Sequence, residues 1–177
     1  LPPATGHYVA SAIGDTCAVS AIGNDQWQTS DITEDCAIAV TFLQRQYTVT
    51  AQFTGNGSVS PLVQTIAHGD PAAFTLLPDP NHRVQSAVGD TCALADNGDG
   101  TWVTGGITAN CAISISFDIN WYTLSATVTG PGTVSPTEQT VPHGGSASLS
   151  TMTTPGHQLV AFSGDTCTPV STGTSSW

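Results

Sequence analysis

The sequence predicts an all-β protein, built as a tandem array of small β-modules with a 75-residue period. Three observations predict it. Apolar and polar residues alternate with period two in several segments, distinctive residues recur 75 positions apart, and Gly-Asp-Thr-Cys occurs three times. Period two is the pattern of half-buried strands, and no segment has the apolar stripe of an amphipathic helix. Self-similarity at a fixed period is the signature of a repeat architecture.

The repeat is visible when the sequence is shifted by 75 residues against itself. Aromatic and histidine positions then coincide: His7, His82 and His157; Trp27, Trp102 and Trp177; Tyr47 and Tyr122; His68 and His143. No gap is needed to align them. The period therefore organises the whole chain.

The repeat divides the chain into one complete module and two partial ones. The complete module covers 47–117, residues 1–42 match the C-terminal part of a preceding module, and 122–177 match the N-terminal part of a following module. Only Leu43–Gln46 and Asp118–Trp121 lie between them. Such short joints predict a stiff string of modules.

The strands are predicted from alternation. Segment 47–54 places four apolar residues on one face, Tyr47, Val49, Ala51 and Phe53. The same pattern occurs in three other segments, 36–42, 111–117 and 122–129. Gly, Asn, Asp and Pro clusters between such segments are typical of turns. We expect each of these apolar faces to be buried.

Cysteine spacing predicts two local disulfides. Cys17 and Cys92, each in a Gly-Asp-Thr-Cys motif, precede Cys36 and Cys111 by 19 residues. Closing a loop of this size stabilises a small module by about 3 kcal/mol on the chain-entropy model. No cysteine pair has the spacing of a zinc site, and disulfides indicate an oxidising compartment. Cys167 has no such partner in the sequence. We expect that the protein continues beyond residue 177 or that the sequence is part of a longer array, and a free Cys167 is the less favoured alternative.

Three segments together resemble the divergent internalin-B-type (InlB B-like) repeat family of bacterial secreted and surface proteins: YTVTAQFTGNGSVSP, QTIAHGDPAAFTL and WVTGGITANCAISISF. The resemblance implies an all-β module related to the β-grasp type, with a small sandwich as the alternative architecture. It also implies a spacer or stalk in adhesins and large exported proteins. The chain departs from the family at His7, His82 and His157, where the family more often has an aromatic residue after glycine.

Composition limits the partners. The chain has no lysine, and Arg45 and Arg83 are its only cations against 13 carboxylates, a net charge of −11. Nucleic acids and anionic membranes bind through clustered Lys and Arg, so neither is expected. No segment approaches the ~20 apolar residues that cross a bilayer. A surface rich in hydroxyl groups suits an extracellular or cell-surface location.

An enzyme would need a nucleophile, a base and an orienting acid. His7 and His82 each precede an aspartate by eight residues, but this arrangement recurs in register with the repeat, as structural residues do. A catalytic site usually breaks such a pattern at one place. We therefore predict that the histidines cap or line strand ends, and that the protein is not an enzyme and needs no cofactor.

Two aspartate motifs have alternative interpretations. In Gly-Asp-Thr-Cys the Asp or Thr side chain is expected to fold onto the backbone as an Asx- or ST-type turn and set the angle of the cysteine. Asp96 and Asp99 lie in a short acidic loop that is a weak calcium candidate, because it lacks the spacing of an EF-hand. A glycine-rich hairpin tip is the favoured interpretation there.

The tryptophans separate into two kinds. Those repeated at one register are expected to be core or interface anchors. Trp121 has no counterpart, since Gln46 occupies the matching position, and it is the candidate for a contact with a partner. The sequence therefore predicts a non-enzymatic extracellular structural protein, the stalk of an adhesin or the body of a fibre, whose partners are neighbouring modules or copies of itself. The alternative is a carbohydrate- or ligand-binding module of a secreted enzyme that contacts a host surface or polysaccharide.

Overall fold

A computed structural model describes residues 3–24 and 26–170. Within those ranges the chain is all-β and contains no helix, so no helix there could span a membrane. It divides into two compact units, Leu1–Ile119 and Asn120–Trp177. The first unit contains the N-terminal strands and the complete predicted module, and the second contains the strands that follow.

The strands of the first unit fall into two groups. Four precede the complete module: β1 (His7–Gly14), β2 (Val19–Gly23), β3 (Gln26–Thr29) and β4 (Ile38–Gln44). Eight form it: β5 (Gln46–Thr54), β6 (Gly57–Ser60), β7 (Val63–Ala67), β8 (Ala73–Pro78), β9 (His82–Gly89), β10 (Leu94–Asp96), β11 (Thr101–Thr104) and β12 (Cys111–Ile119). Only Arg45 separates β4 from β5, so this joint is shorter than predicted.

The complete module consists of two four-stranded sheets. Their strand orders are β7-β5-β12-β9 and β10-β11-β8-β6. All neighbouring strands are antiparallel except β5 and β12, which run parallel from the Val49–Cys111 pair to the Thr54–Ser116 pair. The first and last strands of the module are therefore hydrogen-bonded to each other at the centre of one sheet.

The core of the module lies between the two sheets. Val49 and Ile113 come from one sheet and Phe74 from the other, and all three are fully buried together with Ile107. Apolar side chains from two facing sheets define a small sandwich. No helix crosses either sheet in the described residues, so the sandwich, rather than the β-grasp arrangement, is the architecture found.

The four N-terminal strands form two separate pairs, β1 with β4 and β2 with β3. The apolar face of 36–42 was predicted to be buried, and that prediction is wrong for β4. Ile38, Val40 and Phe42 are 46%, 46% and 42% exposed, whereas their counterparts Ile113, Ile115 and Phe117 are 0%, 3% and 5% exposed. In the complete module β5, β6 and β8 cover that face, and no equivalent strands cover it in the described residues.

The second unit contains four strands, β13 (Trp121–Ser125), β14 (Gly132–Ser135), β15 (Glu138–Pro142) and β16 (Ser150–Thr153). They form two pairs, β13 with β15 and β14 with β16. The predicted strand 122–129 ends early, at Ser125, and Val128 is exposed. In the complete module the equivalent residues of β5 are held by hydrogen bonds to β12, and β13 has no such neighbour among the described strands.

Candidate functional site

The second Gly-Asp-Thr-Cys turn, Gly89–Cys92, joins the two ends of a disulfide loop. The Asp90 carboxylate accepts backbone N–H bonds from Thr91 at 2.6 Å and from Ala112 at 2.9 Å. The Thr91 hydroxyl donates to the Asn110 carbonyl at 3.0 Å, and the Asp90 N–H donates to the Ala112 carbonyl. One short turn therefore holds the residues on both sides of Cys111.

The first turn, Gly14–Cys17, has the same contacts. The Asp15 carboxylate accepts from the N–H groups of Thr16 at 2.6 Å and Ala37 at 2.8 Å, and the Thr16 hydroxyl donates to the Asp35 carbonyl at 2.7 Å. Donors aimed at a carboxylate favour its charged form. The Ala37 and Thr16 amides accordingly hold the pKa of Asp15 below its ordinary value, and the Ala112 amide lowers the pKa of Asp90.

Steric crowding explains why each turn begins with glycine. A Cβ on Gly89 would lie 2.2 Å from the Cys92 carbonyl oxygen and 2.8 Å from its Sγ, and Gly14 has the same environment against Cys17. Such distances are not compatible with a side chain. The third motif has equally close contacts between Gly164 and Cys167, although Cys167 is an exposed free cysteine.

Both predicted disulfides are present, Cys17–Cys36 and Cys92–Cys111, with Cα–Cα distances of 5.9 and 6.0 Å. Two disulfides indicate an oxidising environment. The Asx-type interaction expected of the motif is also present, but it reaches further than predicted. Each aspartate binds the residue after the partner cysteine as well as the residue after itself.

The joint between β4 and β5 is the second place in the first unit where several specific contacts meet. The Arg45 N–H donates to the Gly6 carbonyl at 2.7 Å, and the Arg45 carbonyl accepts from the His68 N–H at 2.8 Å. The Gln44 side chain donates to the His68 carbonyl at 3.0 Å. The guanidinium of Arg45 lies 5.6 Å from the Tyr8 ring centroid, a cation–π geometry. The joint therefore bonds to structure on both sides.

His68 packs closely in this joint. A Cβ on Gly6 would lie 2.2 Å from the His68 ring, and Gly6 has a φ of 75°, so only glycine fits there. The Tyr47 hydroxyl lies 3.4 Å from His68 Nδ1, and the two ring centroids are 5.9 Å apart. His68 thus contacts residues on both sides of Arg45.

The second unit repeats part of this arrangement. The His143 N–H donates to the Asn120 carbonyl at 2.7 Å, as His68 does to Arg45. The rings of Tyr122 and His143 have centroids 5.9 Å apart. The histidine-glycine turn is therefore hydrogen-bonded to the residue before β5 in the first unit and to the residue before β13 in the second.

Two of the three repeated histidines lie at strand ends, as predicted, and the third does not. His7 and His82 are the first residues of β1 and β9, and His157 follows a turn. Each Nδ1 lies near the carbonyl oxygen two residues earlier, at 3.1, 3.0 and 3.4 Å. The structure uses these imidazoles in local turn contacts.

The acidic loop is a hairpin tip between β10 and β11. The Asp96 carboxylate accepts the Gly98 N–H at 2.8 Å, and the Asp99 carboxylate accepts the backbone N–H and the hydroxyl of Thr101. The Thr101 hydroxyl is the main cause that lowers the pKa of Asp99. Within residues 3–24 and 26–170, no three or more His, Cys, Asp or Glu side chains are grouped to hold a metal ion.

The tryptophans occupy different environments. Trp102 packs against the core of the complete module, as expected of an anchor, whereas Trp27 at the same register is exposed. Trp177 lies outside the described residues. Trp121 is exposed at the start of β13, opposite Pro142. Its predicted role in a partner contact stays a prediction.

A shallow groove runs along the joint, lined by Tyr8, Leu43, Arg45, Gln46 and Tyr47. Two aromatic rings beside a guanidinium are groups that can stack on and hydrogen-bond to a sugar. The sequence predicted a joint between two modules at Leu43–Gln46, but it did not predict that these side chains line one groove. The signal was available, since Arg45 is one of two cations in the chain and lies in the joint.

The chain matches no protein-family model, no curated protein and no solved structure. The pairing of β5 with β12, the disulfide turns and the Arg45 joint are therefore the basis for assigning a function.

Proposed function

We propose that this chain is a non-enzymatic extracellular structural repeat protein that carries tension, as the stalk of a surface adhesin or the body of an extracellular fibre. The observation that carries the proposal is the parallel pairing of β5 with β12. The backbone enters the complete module at the start of β5 and leaves it at the end of β12. Tension on the chain would pull these neighbouring strands in opposite directions along their length.

Tension along the chain would therefore load the hydrogen bonds between β5 and β12 in shear. Six residue pairs, from Val49–Cys111 to Thr54–Ser116, link the two strands. Their interstrand hydrogen bonds are evenly spaced in a parallel pair, so all would bear the load together. In an unzipping geometry the bonds would break one after another. Resistance to force depends on the unfolding rate, which a shear geometry lowers.

The disulfide turns support the same role. Cys92–Cys111 closes a loop that ends at the first residue of β12, and Asp90 bonds to the next residue, Ala112. The segment between the cysteines cannot extend while the disulfide is intact. The turn thus anchors the strand that would carry the load.

The modular organisation also supports the proposal. Four strands have the same length and the same starting position as a strand 75 residues later: β1 and β9, β3 and β11, β6 and β14, and β7 and β15. The Arg45 joint is bonded on both of its sides, which would transmit orientation between modules. The resemblance to internalin-B-type repeats agrees with such a spacer.

Single-molecule force spectroscopy on the full chain tests this function. We expect a discrete unfolding event at high force with the disulfides intact. Because each disulfide spans 19 residues, reduction should add about 60 Å of extensible chain per disulfide. Smooth extension without a discrete event would contradict a tension-bearing role.

The joint groove supports a second candidate, a carbohydrate-binding module. Tyr8 and Tyr47 flank Arg45 in an open groove, a composition suited to a saccharide. Titrating the protein with soluble polysaccharides while following aromatic fluorescence tests it. Saturable binding that is lost in Tyr8→Ala but retained in Tyr122→Ala would favour this candidate; an unchanged spectrum would count against it.

A further inference from the structure

The complete module has four edge strands, because each of its two sheets is open at both ends. They are β7 and β9 in one sheet and β10 and β6 in the other. An open edge presents unpaired backbone N–H and C=O groups to solvent, and proteins normally protect such edges with charges, prolines, bulges or short strands. An edge that lacks this protection is suited to pair with another strand.

Three of these edges are protected. β9 contains Arg83, and its register shifts against β12. β10 has three residues and ends at Asp96, while β6 has four residues, begins at Gly57 and is followed by Pro61. The fourth edge, β7, is Val63–Ala67, which contains no charge, proline or glycine, and its register against β5 is unbroken. Among the described strands of the complete module, β7 is therefore the unprotected edge.

Backbone bonds to β5 show which groups of β7 point away from the sheet. The Leu62 carbonyl accepts the Ala51 N–H at 2.8 Å, and the His68 N–H donates to the Arg45 carbonyl at 2.8 Å. In an antiparallel pair, residues that bond to the neighbouring strand alternate with residues that do not. The even-numbered residues from 62 to 68 therefore bond to β5, and the odd-numbered residues direct their N–H and C=O groups outward.

We infer that β7 of one copy pairs antiparallel with β7 of a second copy, about a two-fold axis at Thr65. The outward groups belong to Val63, Thr65 and Ala67, and this set is self-complementary. Thr65 lies opposite Thr65 of the second copy, Val63 lies opposite Ala67, and each opposed pair exchanges two N–H···O=C bonds. The contact is isologous, and it joins two four-stranded sheets into one continuous sheet.

The side chains of this edge favour the contact. Val63 is 61% exposed and Thr65 is also exposed, whereas Ala67 is half-buried. Threonines on opposed strands can hydrogen-bond to each other, and covering the Val63 methyl groups removes apolar surface from water. The net charge of −11 on each copy acts on this uncharged edge from a distance, so added salt should strengthen the pairing.

The counterpart of β7 in the second unit is β15, and it provides an internal comparison. The His143 N–H donates to the Asn120 carbonyl as His68 does to Arg45, so the outward positions of β15 are Glu138, Thr140 and Pro142. Glu138 adds a charge to this edge, and Pro142 has no N–H to donate. The same edge is thus protected in β15 and unprotected in β7.

The inference goes beyond the proposed function, because it adds a lateral contact between copies to a module that bears tension along its length. It depends on the edge of β7 and not on the shear geometry of β5 and β12, so the two ideas can fail separately. A five-residue edge is a small interface. We therefore expect a dissociation constant between about 10 µM and 1 mM.

Cysteine cross-linking tests the position of the two-fold axis. Opposed residues of a hydrogen-bonded pair have Cα atoms about 5.5 Å apart, which is within the range of a disulfide. Thr65→Cys in a Cys167→Ser background is oxidised mildly, and the intact mass is measured without reduction. The matched control is Thr140→Cys in the same background, because Thr140 is exposed at the equivalent position of the protected edge.

We expect a covalent dimer from Thr65→Cys, with a yield that rises with salt, and a several-fold lower yield from Thr140→Cys. No dimer, or equal yields from the two proteins, would overturn the inference.

A second measurement does not depend on oxidation. The double substitution Val63→Glu, Ala67→Pro gives β7 the protecting residues of β15, and neither position bonds to β5 through its backbone. We expect sedimentation velocity to show that it weakens self-association by about tenfold or more relative to the Cys167→Ser parent. Thr140→Glu adds a charge to the protected edge and should leave the association unchanged.

Circular dichroism and the midpoint of thermal unfolding check that the substituted proteins fold. A Cys167→Ser parent that stays monomeric up to about 1 mM would overturn the inference. Equal association of the double variant and its parent would overturn it as well.

Discussion

The Asp90 carboxylate accepts the backbone N–H of Ala112 at 2.9 Å, so an aspartate before one cysteine of the Cys92–Cys111 disulfide binds the residue after the other. Asp15 and Ala37 repeat the relationship at 2.8 Å around Cys17–Cys36. In these two copies, the aspartate of the Gly-Asp-Thr-Cys motif therefore adds a hydrogen bond between the two chain segments that the disulfide joins covalently.

Removing the aspartate should weaken this connection. Asp90→Ala removes the acceptor for two backbone N–H groups, and we expect a lower midpoint of thermal unfolding and faster reduction of Cys92–Cys111. The matched control is Asp165→Ala in the third motif, where Cys167 is free. Equal effects of the two substitutions would show that the aspartate does not act through the disulfide turn.

Stability should depend on pH through the same carboxylates. Hydrogen bonds lower the pKa values of Asp15 and Asp90 in the folded protein. A lowered folded pKa adds stability above the ordinary carboxyl pKa, and that stability is lost as the pH falls through the lowered value. We expect thermal unfolding midpoints to fall on acidification below about pH 4. The fall should be smaller in an Asp15→Ala, Asp90→Ala double variant, and an identical fall would contradict the assignment.

The disulfide of the complete module should supply a large part of its stability. Cys92→Ser combined with Cys111→Ser should lower the free energy of unfolding by about 3 kcal/mol, because the unfolded chain regains loop entropy. Urea unfolding followed by circular dichroism measures it. Cys167→Ser is the control and should change stability by less than about 0.5 kcal/mol, since that residue is exposed.

The joint should lose rigidity when Gly6 gains a side chain. In Gly6→Ala the new methyl group would collide with the His68 ring and displace the strands on either side of Arg45. Gly23→Ala is a matched control, because Gly23 also has a positive φ, of 96°, but nothing lies within 4 Å of the added atom. Nitrogen-15 relaxation should report independent motion of residues 7–44 and 46–119 in Gly6→Ala alone. Joint tumbling in both variants would contradict the role of His68.

Much of this fold could be predicted from the sequence, because the responsible interactions are local. Alternation located the strand around Val49, and equal spacing paired Cys17 with Cys36 and Cys92 with Cys111. A two-residue period is set by the strand itself, and a 19-residue loop closes within one module. Neither depends on distant parts of the chain.

Burial in the partial modules could not be predicted in the same way. Val40 and Ile115 are 75 positions apart and lie in similar apolar segments, yet only Ile115 is buried. The difference comes from β5, β6 and β8, which pack over β12. Periodicity reports which side chains share a face, and a second sheet decides whether that face is covered.

The contacts of the joint could not be predicted from the sequence either. The contacts of Arg45 connect Gly6 to His68, which are 62 positions apart. Such contacts depend on the packing of two separate groups of strands. The sequence indicated where the joint lies, but not its hydrogen bonds, and it predicted four residues where the structure has only Arg45.

Force spectroscopy with two attachment geometries tests the central claim most directly, that β5 and β12 carry tension in shear. Handles at Gln46 and Ile119 pull the parallel strands from opposite ends, whereas handles at Thr48 and Asn110 pull them from the same end. Both proteins contain Cys167→Ser, and the Cys92–Cys111 disulfide stays intact. We predict a several-fold higher unfolding force in the first geometry, because the hydrogen bonds from Val49–Cys111 to Thr54–Ser116 then share the load. Equal forces in the two geometries would contradict the claim.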